Sequence, residues 1–486
     1  MSIMTGAEYI DSIKRMKPTV YAMGEKIEDI TEHPFLKPAC DATAKYFDFT
    51  LNPKYKDRIT SISTIASGEL IAECARLYTS KEYLVERFRF GRELRRVFGI
   101  RGGGVADSVN ALWSSTYDCD KKYGTEYHGR FQEFLKNVHK KSLICSITAS
   151  DVKGDRSKRP VEQSDPDMYV HKIETRKDGI IVRGCKAHQS NSIHSHEIVC
   201  ITGRRMQQDE KDYAVAFAVP TNTKGVIQIC SRQPSDTRRL EGMEMDWGFP
   251  QFGGTEALVI FNDVFVPWER VFLNGEWDFT PQLMETFANF HRVLYALKSS
   301  LGDLIIGAAV QIAEYNGVAA ASHIRSKVAD MIILNETMYC CGLAAASQGI
   351  QTPSGVWCDD PVLSNVVKGN VVKNMYEIGR LAEDIAGGLL TTQPSEKDWR
   401  NPETRPFIEK YLKAKDGVPT ENRMRIFKLL ECLTYGPVAT YTRLEAMHGA
   451  GAPEAQKVFI RRYFDIEPYK KYARQACRLE KFEWES

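Results

Sequence analysis

The sequence predicts an α+β protein in three consecutive parts: a helical segment over residues 1–142, an antiparallel β domain over 143–275 and a helical bundle over 276–486. Three observations carry this. In the first and last parts apolar residues recur at three- and four-residue steps, the period of one buried helical face. Between them alanine and leucine give way to valine, isoleucine and threonine in short alternating segments. And 486 residues are enough for two to four packed domains.

The first part opens at Thr5, with Glu8 three residues on, the pattern of a capping box ahead of an apolar periodic run. Further helical runs cover 69–90 and 105–122. Between them lies the stretch 98–104, with four glycines in six residues, which reads as a flexible loop. The β domain begins with a strand at 143–148 and a polar loop at 149–156. Short alternating segments follow, two of them joined at Lys177-Asp-Gly179, a hairpin signal. Helices return from Pro281 and cover 284–311, 322–348, 360–385, 421–447 and a last run after Pro453, with loops at 355–357 and 391–416.

The run 284–311 reads as one long helix. Phe287, Phe290, Leu294, Leu297, Leu301 and Ile305 mark its core face. His291, Tyr295 and Lys298, at i, i+4 and i+7, share a second stripe. By periodicity that stripe is either a polar flank or the lining of a reaction cavity.

Composition sets outer bounds. A formal charge of +2 gives no reason to expect nucleic acid or an anionic membrane as a partner. No apolar run reaches bilayer length, 304–313 coming nearest, and the amphipathic start lacks a signal-peptide core, so a cytoplasmic location is expected. Twelve cysteines without a C-x-x-C pair point to reduced, packed thiols.

Four further stretches hold chemistry-bearing residues. Residues 186–197 contain His188, His194 and His196 with Gln189 and Ser190, and read as a zinc site, a polar turn or a hydrogen-bonding loop against a planar ligand. Glu256 starts a strongly apolar strand and is either solvated or held dry as a base. Gly387 and Gly388 are either a helix cap or a close approach for a ligand. Glu445 and His448 precede a glycine-rich turn. No G-x-G-x-x-G follows a strand, and no P-loop or nucleophile elbow is found.

These stretches, in this order, resemble the flavoprotein family that includes 4-hydroxybutyryl-CoA dehydratase/vinylacetyl-CoA Δ-isomerase and the 4-hydroxyphenylacetate 3-hydroxylases. The likeness runs nearly end to end. It shows in Val20-Tyr-Ala-Met-Gly-Glu-Lys-Ile27, Ser115-Thr-Tyr117 with Lys122-Tyr-Gly-Thr125, Lys153-Gly-Asp-Arg156, Ala187-His-Gln189 with Ser195-His-Glu197, Phe252-Gly-Gly254 with Glu256-Ala-Leu258, residues 381–389, and Met447-His-Gly-Ala-Gly451. The resemblance implies an acyl-CoA dehydrogenase-like fold, a homotetramer, and non-covalent FAD between the β domain and the bundle. Thr148, Lys153, Gly154, Asp155 and Arg156, with His188, Gln189 and Ser190, would face the flavin. Gly387, Gly388, His448 and Gly449 would approach it, partly from a neighbouring subunit.

Two departures qualify what is implied. In the dehydratases a [4Fe–4S] cluster is held by a C-x-x-x-C pair, a histidine and a cysteine. Here the pair falls on Gly99 and Gly103, His291 remains, and the last ligand falls at or next to Lys298. Glycine and ammonium cannot replace thiolates, so no cluster and no other metal is expected. In the hydroxylases an Arg-x-Pro-Asp-Tyr segment corresponds to residues 104–108, where only Asp107 is kept, and a histidine corresponds to Cys145. The expected activity is therefore FAD-dependent acid–base work on an acyl-CoA, a shift of a double bond from β,γ to α,β. His291 would take the α proton and Glu256 or Glu445 return one at γ. Tyr295 would hydrogen-bond the enolate, and Lys298 would neutralise it. The alternative is an FADH2-dependent phenol monooxygenase served by a flavin reductase.

Overall fold

The computed structural model describes residues 3–72, 75–98, 106–232, 237–250, 252–482 and 484. The first helix, Gly6–Met16, starts as expected: Thr5 Oγ1 accepts from Glu8 N at 3.2 Å and the Glu8 carboxylate accepts from Thr5 N at 2.7 Å. The chain then departs from the all-helical expectation. Thr19–Ala22 and Glu25–Ile27 form a hairpin whose first strand joins Val226–Cys230 in parallel. Val20 and Ala22 point inward and Tyr21 outward. Four residues of period two are too few to stand out in a sequence.

The β domain has two sheets. Six strands run in the order Glu25–Ile27, Thr19–Ala22, Val226–Cys230, Glu256–Pro267, Gly179–Ser190, His171–Thr175. Four run in the order Val271–Asn274, Val215–Pro220, Glu197–Cys200, Cys145–Thr148. The expectation of a purely antiparallel domain is corrected twice, since Cys145–Thr148 also pairs in parallel with Glu197–Cys200. The expected hairpin at 177–179 is present. Between the sheets Val182, Val219, Val259, Val264 and Val266 are buried, and Phe217 meets Phe261 edge-on at 5.2 Å. Each such side chain contributes about 1.5–3 kcal/mol by leaving water.

Other boundaries also shift. Residues 70–72 pair with 60–62, so the helix expected from 69 begins at Lys81 and ends at Phe98. The next helix is Ala106–Tyr123, and most of the glycine stretch between them lies outside the described residues. The run 421–447 breaks before Pro437, whose ring cannot continue a helix but suits a first turn, giving Thr420–Thr434 and Pro437–His448. The expected loop 391–416 contains the helices Glu396–Arg400 and Arg405–Tyr411, and Ile350–Gln351 pairs with Trp357–Cys358. By length and composition alone, Trp277–Tyr315 and Ser322–Ser347 would cross a bilayer, against the expectation of no such run; the first is mostly buried inside the fold.

The central helical run is unbroken but not uniform. Thr280–Arg292 and Ser299–Tyr315 are α-helical, and Val293–Lys298 between them tightens to a 3₁₀ helix whose six residues are all buried. Neighbouring helices approach it through glycine. A Cβ on Gly342 would collide with Ala296, and one on Gly91 would stand 3.2 Å from Leu297. Phe88, Leu112, Phe290, Leu297, Val371 and Met375 belong to one core spanning the N-terminal helices and the bundle.

Buried cations pin this run to its surroundings. Arg292 Nε donates to Ala450 O at 3.0 Å and its NH1 to Asn365 Oδ1 at 2.7 Å. Lys368, in Pro361–Ala386, donates to Ala446 O and places its ammonium 3.8 Å from the Tyr295 ring centre. Burial, with Lys298 and Arg292 nearby, pushes the Lys368 pKa down to about 7 against the pull of Glu445. On the other side Arg92 grips Asp303 with two hydrogen bonds of 2.8 and 2.6 Å and reaches Glu336 Oε2 at 2.9 Å.

Two predictions follow from these cations. Arg92→Ala leaves the Asp303 carboxylate with Arg96 and the Asn335 amide, and should cost about 3 kcal/mol, read as a lowered urea midpoint. Lys368 sheds its proton near pH 7 in the folded protein but only near about pH 10.4 when unfolded. Across that window the unfolded chain binds the extra proton, so stability rises with pH. The protein should therefore gain stability relative to Lys368→Met from about pH 7 to about pH 10; a flat difference would show that Lys368 stays charged.

Candidate active site

His291 sits in the last turn of Thr280–Arg292, and Tyr295 and Lys298 in the 3₁₀ segment. Phe287 stacks on the imidazole with ring centres 5.2 Å apart, and Tyr295 meets it edge-on at 5.5 Å. Its Nδ1 bonds Asp107 Oδ2, from the first turn of Ala106–Tyr123. Glu445 arrives from Pro437–His448. It accepts from the Tyr295 hydroxyl at 3.0 Å through Oε1 and pairs with Lys298 Nζ through Oε2. The stripe is thus no solvated flank. Tyr295 and Lys298 are each 3% exposed, while the His291 side chain keeps 28% of its surface open. Gly449 serves this group too, because a Cβ there would overlap the Tyr295 hydroxyl.

The electrostatics follow from burial. Burial favours protonated Asp107, but the His291 charge, its hydrogen bond and Arg87 outweigh that and hold the carboxyl below its usual range. Glu445 is treated alike: burial raises its pKa, and Lys298, His291 and Lys368 more than reverse this. Burial lowers the Lys298 pKa despite Glu445, and burial with Glu445 raises that of Tyr295 well above its ordinary value. At neutral pH the group holds two carboxylates, a neutral phenol and closely spaced cations.

A second wall forms where the β domain faces the bundle. Opposite Ala257–Val259 the strand Gly179–Ser190 carries one extra residue, and His188 takes φ 57° there. Such a bulge re-aims a side chain. His188 turns outward, where burial lowers its pKa and the charges of Lys153 and His448 lower it further. Three residues expected to face a flavin therefore come together from a loop, a strand and the bundle. The loop is fixed from beneath. Lys186, 2% exposed, pairs with Asp151 and donates to Ile201 O at 2.8 Å. Gly154, at φ 52°, leaves no room for a Cβ against Gln163.

Other expected residues are placed differently. Thr148 is fully buried, its hydroxyl donating to Val199 O at 3.3 Å. The Gln189 amide also turns inward, to Ser150 O at 2.9 Å and to Ala187 O. Asp155 closes its own turn by accepting from Ser157, and Arg156 is exposed. Gly387, at φ 71°, and Gly388 lie exposed at the end of Pro361–Ala386. Glu256 accepts from the Ser190 hydroxyl at the start of its strand, on the His188 side.

The loop reading of His194 and His196 is corrected, and no group of three His, Cys, Asp or Glu side chains among the described residues is arranged to hold a metal ion. His194 is buried beside Thr255 Oγ1 at 3.3 Å. His196 Nδ1 accepts from Ile144 N at 3.0 Å, so Nε2 donates to Ser12 Oγ at 2.8 Å. Burial lowers its pKa to about 4. Both fasten the first helix to the β domain, with Tyr9 donating to His194 O at 2.6 Å.

Sequence reasoning missed Asp107 and Lys368. Asp107 carried a signal as the one residue kept within 104–108. Lys368 carried another, as a cation after Val366 and Val367 on a buried face.

Comparison with known proteins agrees with the fold and the motifs. Residues 5–273 and 280–478 match the N-terminal and C-terminal parts of the 4-hydroxyphenylacetate 3-hydroxylase family. The chain is 41% identical to the 4-hydroxybutyryl-CoA dehydratase/vinylacetyl-CoA Δ-isomerase of Clostridium aminobutyricum, over 97% of this chain and 99% of that protein. It superimposes on an oxygen-tolerant archaeal 4-hydroxybutyryl-CoA dehydratase from N. maritimus with a TM-score of 0.94 and 40% identity, over 99% and 96% of the two chains. It shares the fold of a 4-hydroxyphenylacetate 3-monooxygenase oxygenase component complexed with FAD and 4-hydroxyphenylacetate, at a TM-score of 0.85 and 24% identity over 98% of each chain. With both halves matched in order, the chain belongs to the 4-hydroxyphenylacetate 3-hydroxylase family.

Proposed function

We propose that the chain is an FAD-dependent enzyme acting on an acyl-CoA, shifting a double bond from β,γ to α,β or performing related dehydratase-type chemistry, without a [4Fe–4S] cluster. The 41% identity to a dehydratase/isomerase supports the substrate class. One observation carries the mechanism: a partly open imidazole backed by a buried carboxylate, beside a Glu445 carboxylate that Tyr295 and Lys298 hold by hydrogen bonds. The arrangement is read as the acyl-CoA dehydrogenase type, assembled as a homotetramer.

The wall formed by Lys153, His188 and His448 offers an exposed cation and ring donors suited to FAD, which would supply redox chemistry there. The side chains account for the proton transfers. His291 takes the α proton of the thioester as general base. Glu445 is an anchored anion and a poor proton donor, so return of a proton at γ is assigned to Glu256. Tyr295 donates to Glu445 and orients it, which replaces its expected bond to the enolate. The Lys298 charge is neutralised by Glu445, so Lys298 holds the site together and does not meet the enolate alone.

The cluster-free reading rests on donors. Lys298 stands at or next to the last ligand position as an ammonium already paired with Glu445, and residues 99 and 103 are glycines that lie outside the described residues.

His291→Ala should slow solvent-deuterium exchange at the α carbon of an enoyl-CoA by about 10²-fold or more; unchanged exchange would sink His291 as the base. The purified protein should carry flavin, or take it up, with iron and sulfide at background. Stoichiometric iron and sulfide would overturn the cluster-free reading. Oxygen uptake with a phenol and supplied FADH2 would favour a monooxygenase.

A further inference from the structure

The geometry points to Asp107 as the positioning residue of His291: it keeps the ring proton on Nδ1, leaves Nε2 bare for the substrate, and balances the imidazolium formed when the α proton arrives. This rests on His291 being the base. In the step, the α C–H bond breaks, its proton goes to Nε2, and the electron pair passes into the enolate.

The placement argues for this role. Asp107 is 3% exposed and lies in the first turn of an 18-residue helix, where the helix dipole favours an anion. Its Oδ2 meets Nδ1, and a carboxylate can only accept, so a neutral ring must carry its proton there. Phe287 and Tyr295 fix the ring plane. The group is enclosed by charge from several elements. Arg87 and Arg95 come from Lys81–Phe98, with Tyr78 beside them. Buried Asp359 lies within reach of the Arg87 charge. Glu445 comes from Pro437–His448, Lys298 from the central run and Lys368 from Pro361–Ala386. Asp107 also turns a problem into a function. An imidazolium formed among these cations would be repelled by them, and the adjacent buried carboxylate offsets that repulsion.

The test uses the full-length protein labelled with ¹⁵N-histidine, the His291 signals being assigned by their loss in His291→Gln. At a pH where the ring is neutral, the parent should show Nδ1 protonated and Nε2 bare. The opposite tautomer in the parent would overturn the proposal, and this readout needs no activity. Asp107→Asn should shift that tautomer, lower α-carbon exchange by about 10²- to 10⁴-fold and displace the pH profile, with exchange partly rescued in Asp107→Glu. Asp107→Asn with the parent's tautomer, exchange and profile would overturn the role of Asp107 while leaving His291 as the base. Should His291→Gln itself keep full exchange, the base reading fails, and the tautomer alone decides whether Asp107 positions the ring.

Discussion

The site depends on one constraint: an ammonium placed where water cannot reach it must have a partner. Lys298 is 3% exposed, and the 3₁₀ segment that carries it is clasped by helices approaching through glycine. Burying an unpaired charge costs several kcal/mol. Glu445 is that partner, and so the helix Pro437–His448 must dock where it does. Tyr295 then takes the other oxygen of Glu445, Gly449 makes room for the phenol, and Lys368 and Arg292 hold the chain beyond. The pair is structural first. Its chemical consequence is that the Lys298 charge, with those of His291 and Lys368, holds Glu445 below the usual carboxylate range.

Much of this was legible in the sequence, for reasons that show where legibility ends. The stripe His291–Tyr295–Lys298 follows from helical period alone, and the capping box at Thr5 from spacing. Period does not reveal that the helix tightens at Val293–Lys298, where Gly342 and Gly91 pack against Ala296 and Leu297. Asp107 lies 184 residues from His291, and no local pattern joins them. His188 was identified as a site residue, but the bulge that turns it outward depends on strand pairing opposite Ala257–Val259. His194 and His196 show the opposite error. Their composition resembles a ligand-binding loop, yet both are satisfied inside the core by Thr255, Ile144 and Ser12.

The comparison with the dehydratases gains meaning from the same pair. The family resemblance calls for a thiolate on the central run at or next to Lys298, and here Lys298 is a cation paired with Glu445. An anionic ligand and an ammonium make opposite demands on their neighbours.

The parallel strand Thr19–Ala22 has a bearing on how the chain is made. It pairs with Val226–Cys230, some two hundred residues later, one strand in from the edge strand Glu25–Ile27 of the six-stranded sheet. On the ribosome that segment emerges long before its partner exists, so the β domain cannot complete its edge as its own residues appear. The N-terminal segment must wait, with its apolar side uncovered, until residue 230 has left the tunnel. The first helix, tied to the same domain through Tyr9 and Ser12, shares that delay. Domain boundaries drawn along the sequence therefore do not mark units that fold one after another.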